Sequence, residues 1–160
     1  MIIKSEFTKL KHYIFGSTAA IITDISLIVG LGSAHTGKGP ILGGLLTIAL
    51  ADNISDSLGI HMFKETEGCG EKLSLLATSI NFFSRLLVSL SFIVIVFIFS
   101  ISHSIIIAII WGFLLLTLIS YLIAKSNNEN SILEIIKHLL IAIIVIVLSR
   151  YMGYLISKYI

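Results

Sequence analysis

The chain has 160 residues, 56% of them hydrophobic and 12% charged, with a mean hydropathy of +1.04. A soluble domain of this size does not carry so much apolar surface, so the composition points to helices in lipid and leaves no length for a sizeable soluble domain. A net charge of +2 without a basic, aromatic-interleaved tract argues against a nucleic-acid partner, and the single cysteine, Cys69, cannot form an internal disulfide.

The expected fold class is all-α, a polytopic membrane helical bundle forming one integral membrane domain over residues 1–160. At about 20 residues per ~30 Å of hydrocarbon, the chain divides into five transmembrane helices. The first, at about residues 13–34, follows the lysine-bearing start MIIKSEFTKLKHYIFG and is read as an uncleaved helix, because it is too long for a signal peptide and contains Asp24. Ser17, Ala20 and Asp24 share one stripe of it. Gly16, Gly30 and Gly32 favour close helix approach.

Pro40 suits the first turn of a second helix at about 41–63. This helix carries Asp52 and Asp56 one turn apart on the same face, flanked by Ser55 and Gly59, with Asn53 and Ser57 to one side. The polar loop KETEGCGEK leads to a third helix at about 73–100. There Thr78, Asn81, Arg85 and Ser89 form one polar line. Ser102, His103 and Ser104 are expected to reverse the chain into a fourth helix at about 105–124, and KSNNENS into a fifth at about 132–156. These last two are expected to be lipid-facing supports.

Lys4, Lys9, Lys11, Lys64, Lys72 and Lys125 fall on one side, with Lys137 just inside the fifth helix, against Lys38, Lys158 and Arg150 on the other. The positive-inside rule then puts the N-terminus in the cytoplasm and the C-terminus on the opposite side.

A charge at mid-bilayer depth costs at least ~2.5–3.5 kcal/mol, so intramembrane carboxylates are functional candidates. Three aspartates and one arginine leave two negative charges if all ionise, and a dry site does not hold that excess. It takes up protons, binds a cation or lies beside water. Asp24, Asp52, Asp56, Asn53 and Ser55 are therefore the candidate metal or proton pathway, with Arg85 and Asn81 supplying a tethered counter-charge; hard oxygen ligands suit divalent metals. The alternative is a scaffold in which an Asp–Arg bridge sets helix register. Met62, Glu65, Glu67, Cys69 and Glu71, with His61, form either a metal-gathering loop or a solvated one. No nucleotide-binding loop, Gly-x-Ser-x-Gly, His-Glu-x-x-His or Cys-x-x-Cys occurs, and Asp52-x-x-x-Asp56 lacks the signature of membrane alcohol-phosphatidyl transferases, so an enzyme is not expected.

Three stretches, YIFGSTAAIITDISLIVGLGSA, SLLATSINFFSRLLVSLSFIVI and IIKHLLIAIIVIVLSRYMGYLI, resemble helices of the vacuolar iron transporter family. The resemblance implies five membrane helices, export of ferrous iron or manganese from the cytosol against protons, and a homodimer with the path near its two-fold axis. It implies no permanently bound cofactor, the divalent cation being cargo. The chain departs from the family in two helices. Ala19 stands where an Asn-Asp-Gly motif would place its aspartate, and ADNISDSLGIHM replaces the Ser-Met-Ala and Gly-Glu-Tyr elements. The family's Glu-rich cytoplasmic domain is reduced to KETEGCGEK, which makes this a small form.

Overall fold

In the computed structural model, which describes the backbone of residues 2–159 and the side chains of residues 16–159, the chain is a bundle of helices without a strand among the described residues. The helices are α1 (Ile2–Ser33), α2 (Lys38–Thr66), α3 (Glu71–Ile98), α4 (Ile101–Asn127) and α5 (Ser131–Tyr159). All five are long and apolar enough to cross a membrane. Bare Leu, Ile and Phe side chains such as Phe97, Leu114 and Ile144 cover the outside, as an integral multi-pass membrane protein in a lipid bilayer requires. The backbone of α1 is helical from Ile2, well before Tyr13. The side chains of Lys4, Lys9 and Lys11 lie outside the described residues.

The connections are short. The expected reversal at Ser102–Ser104 falls instead at Phe99–Ser100, where both residues adopt extended ψ angles (160° and 156°). Ser102, His103 and Ser104 belong to the first turn of α4, and the Ser104 amide donates to the Ser100 carbonyl at 2.8 Å. Between α4 and α5, Asn128 takes a left-handed conformation (φ 55°). Asn130 Oδ1 then accepts the Ile132 amide at 3.0 Å, capping α5. The loops at 67–70 and 128–130 mark one end of the bundle, the near end. Those at 34–37 and 99–100 mark the far end.

Helix α1 is the hub, packed along α3, α4 and α5 and against the start of α2. Of its spanning window 44% is buried, against 6% for α5. Helix α4 is more than a support. Ser104, Ala108, Gly112, Leu116, Ser120 and Ala124 are all buried, in a four-residue repeat of mostly small side chains. Lipid gives apolar helices no reason to associate, so close backbone approach and polar contacts hold the bundle. At the crossing of α1 and α5, a Cβ on Gly153 would collide with the Gly30 carbonyl oxygen. Gly153→Leu is expected to cost about 1–3 kcal/mol by overpacking, seen as a lower melting temperature in detergent. Gly43→Leu should melt with the parent, because a Cβ at Gly43 meets nothing within 4 Å.

Candidate functional site: an acid–guanidinium cluster between the second and third helices

Helix α2 is not uniform. It is α-helical over Lys38–Thr47, makes one π-helical turn over Ile48–Asp52, and resumes as α-helix over Asn53–Thr66. The Asn53 amide bonds the Ile48 carbonyl, five residues back. In a regular α-helix it would bond Ala49. The Asn53 side chain takes over that role, donating from Nδ2 to the Ala49 carbonyl at 3.3 Å and to the Phe82 carbonyl of α3 at 2.9 Å. One buried amide thus closes the π turn and ties α2 to α3. The buried positions of α2 fall at Ile41, Leu45, Ala49, Asn53 and Ser57, a strict four-residue repeat. A helix of 3.6 residues per turn drifts about 40° at each such step. The π turn absorbs part of that drift and sets Asp52 against α3. Such turns occur frequently at functional sites.

Arg85 reaches from α3 to both α2 carboxylates. Its Nη2 lies 2.6 Å from Asp52 Oδ2 and its Nη1 3.3 Å from Asp56 Oδ2. Asn81, one turn earlier on α3, donates from Nδ2 to Asp56 Oδ2 at 2.9 Å and to Ser57 Oγ at 3.1 Å. Gly16 of α1 backs this arrangement, since a Cβ there would overlap Asn81 Oδ1 and press on the Arg85 stem. A guanidinium suits the place because its planar fork spans two acceptors, which an ammonium cannot match. The burial is asymmetric. The Arg85 side chain is 4% exposed, that of Asp52 51% and that of Asp56 33%. The cation sits inside and the anions at the surface of the single chain, with one negative charge left over when all three ionise.

Asp24 is placed apart. It is completely buried on α1, and its Oδ2 accepts the Ser89 hydroxyl at 2.8 Å. The charges of Arg85 and Asp52 reach it, but as neighbours rather than contacts. The candidate pathway residues are thereby divided between two places, Asp24 of α1 in one and Asp52 and Asp56 of α2 in the other. Asp24 lies one turn farther along α3 than Arg85, in the seam with α1, whereas Asp52 and Asp56 flank the outer seam with α2. Asn53 is buried in the α2–α3 tie, and Ser55 is exposed on the outer face. Among the described residues, no three His, Cys, Asp or Glu side chains converge as a metal site.

The proposed gathering loop does not converge either. Met62 and Glu65 belong to the last turns of α2, and Glu71 opens α3. Glu65 pairs with His61 at 3.3 Å and Glu67 with Lys64 at 2.5 Å, so these charges are held by neighbours on their own helix or at its end. Cys69 is half-buried. His61 lines an outer cleft of about 410 Å³ between α2 and α3 together with Ser57, Thr78 and Phe82.

Two features escaped the sequence reading. The π turn has no Gly or Pro to announce it. Ser74 is fully buried on α3, and its signal was available, since it stands seven residues before Asn81 and extends the same polar line. Comparison of the chain with protein-family models, with curated proteins and with solved structures finds no match.

Proposed function

We propose that the protein transports divalent metal cations, iron or manganese, across a membrane in exchange for protons, as a homodimer with its near end in the cytoplasm. The half-exposed Asp52–Asp56 pair on a membrane-spanning helix carries this reading. Carboxylates facing acyl chains cost at least ~2.5–3.5 kcal/mol each, and Arg85 offsets only one of the two. The remaining charge calls for water, a cation or another protein surface. A second copy across a two-fold axis would bring four such carboxylates together and complete a hard oxygen donor set for Fe²⁺ or Mn²⁺. In this reading Asp52 and Asp56 are ligands, with Asn53 and Ser55 as flanking oxygen donors. Arg85 and Asn81 hold the acids while the site is empty and release them to the arriving cation. Asp24 carries protons. Lys64, Lys72 and Lys125 at the near end, against Lys38 and Lys158 at the far end, support the orientation. The likeness of three helices to the vacuolar iron transporter family supports the cargo and the dimer.

The test is uptake into proteoliposomes of Fe²⁺, Mn²⁺, Zn²⁺ and Mg²⁺, with and without a pH gradient. Uptake of iron or manganese that rises with the gradient is the expected result, and Asp52→Asn is expected to abolish it while the protein still folds. No uptake of any of the four under either condition ends the reading. The bridging of both acids by Arg85, together with the missing third ligand among the described residues, favours a second reading: a non-transporting scaffold whose Asp–Arg bridge sets helix packing. There, Asp52→Asn lowers folded yield or breaks assembly, with no flux to lose.

A further inference from the structure

We propose that the seam between α1 and α3 is a hydrated proton path, open toward the near end, ending at the Asp24 carboxyl, and closed beyond it by apolar side chains. The proposal deepens the transport reading by separating the proton route from the outer Asp52–Asp56 face. It rests on that reading only for what the protons drive.

The buried polar atoms carry the inference. Ser74 Oγ, Asn81 Oδ1, Arg85 Nε and Asp24 Oδ1 take no hydrogen-bond partner among the described residues. Ser74, Asn81 and Asp24 are 0% exposed and Arg85 3%. A buried polar group left unpaired is costly, and native structures leave few of them. Of the five such atoms among the described residues, four fall along a single line, and the fifth, His61 Nδ1, lies on α2. Ser74, Asn81, Arg85 and Ser89 recur on one face of α3, and Ser89 hands the line to Asp24 of α1. At 1.5 Å per residue the fifteen steps from Ser74 to Ser89 cover about 22 Å, most of one hydrocarbon layer. Asn81, Arg85 and Ser89 stand one turn, about 6 Å, apart, a gap that one water bridges with two hydrogen bonds; Ser74 and Asn81 stand two turns, about 10.5 Å, apart, a gap that takes a chain of about three waters. Buried waters occupy sites of this kind, where several polar groups lack other partners.

The far half of the seam is different in kind. Beyond Asp24, Ile25 and Ile28 of α1 and Phe92 and Val96 of α3 belong to one packed apolar cluster, each no more than 1% exposed. Helix α4 meets Ile25 with Gly112, and α5 adds Ala142 to the same core. None of the unpaired buried atoms lies in this half, and apolar interiors stay dry. Among the described residues, the charged groups that act on Asp24 are Arg85 and Asp52. The guanidinium lies along the path, but its field is offset by the two α2 acids it holds. The chemistry is a proton transfer alone. Water at the open end gives a proton to the Asp24 carboxylate, which becomes a neutral acid and later returns the proton to water.

Removing the apolar closure tests this without any metal. The double variant Phe92→Ala/Val96→Ser, in proteoliposomes loaded with a pH-sensitive dye, is expected to dissipate a pH gradient roughly tenfold faster than the parent or more. Adding Asp24→Asn is expected to return the rate to that of the parent. A folded double variant that leaks no faster overturns the proposal, as does a leak that survives Asp24→Asn. On the unaltered chain in lipid, water-edited solid-state NMR is expected to show magnetisation passing from water to Asp24 Cγ and Asn81 Cγ. A dry Asp24 overturns the path even if the variants do not fold. Because neither readout involves metal, failure here leaves the transport reading intact, and a chain that moves no metal can still show the leak.

Discussion

Arg85→Leu is expected to lower the stability of the folded protein by about 3–5 kcal/mol, the range for removing one partner of a buried ion pair. The cost arises from what is left behind more than from what is lost. Asp52 and Asp56 stand one turn apart on α2, and both are held by the same guanidinium at 2.6 and 3.3 Å. Without it, two like charges face each other with Asn81 as the remaining donor to Asp56. Their own exposure sets the size of the effect. If the outer face is wet, water takes up part of the charge and the loss falls toward the lower bound. Against lipid, the protein should not accumulate at all. Thermal unfolding of purified protein in detergent, with folded yield from the membrane, measures both. The triple variant Arg85→Leu/Asp52→Asn/Asp56→Asn should recover most of the loss, because neutral amides at those positions need no counter-charge. Arg85→Lys should recover only part, since an ammonium cannot span both acceptors. An Arg85→Leu protein that melts with the parent would mean the contact seen here contributes nothing.

The number and type of helices were legible because hydropathy over some 20 residues is a strong signal and lipid permits little else. The polar line of α3 was legible for the same reason, as Asn81, Arg85 and Ser89 have no cause to recur on an apolar helix unless that face is covered. What depended on local backbone detail was not. The turn at Phe99–Ser100 has a weaker composition signal than the Ser-His-Ser that follows it, yet the latter serves as the first turn of α4. The separation of Asp24 from the other acids turns on which flank of α3 each neighbour occupies, and a stripe drawn on one helix does not contain that. The role of α4 was visible in outline, since small residues, Leu116 apart, repeat every fourth position from Ser104 to Ala124, but high overall hydropathy masked it.

Asn53→Leu is expected to have the second largest effect, about 2–3 kcal/mol, and a consequence beyond stability. Leucine keeps the branched outline of asparagine and is somewhat larger, so the substitution leaves no cavity. It removes the donor to the Ala49 and Phe82 carbonyls, distances 3.3 and 2.9 Å. Interhelical hydrogen bonds in membranes average ~0.6 kcal/mol and reach ~1.7. Two together, with the Ala49 carbonyl left unpaired in a low-dielectric seam, reach the stated range. The further consequence follows from geometry. The π turn persists because the Asn53 side chain serves the carbonyl its own amide has abandoned. Once that donor is gone, the regular α-helical ladder is the better alternative, and the change of one residue in register rotates the segments on either side by about 100° relative to each other. Asp52 ends the π turn and would swing away from Arg85. A double-mutant cycle between Asp52→Asn and Arg85→Lys should therefore give a coupling of about 0.5–3 kcal/mol in the parent and close to none in the Asn53→Leu background. Undiminished coupling there would show that the acid–guanidinium contact is set by α3 alone and that the π turn has no part in placing Asp52.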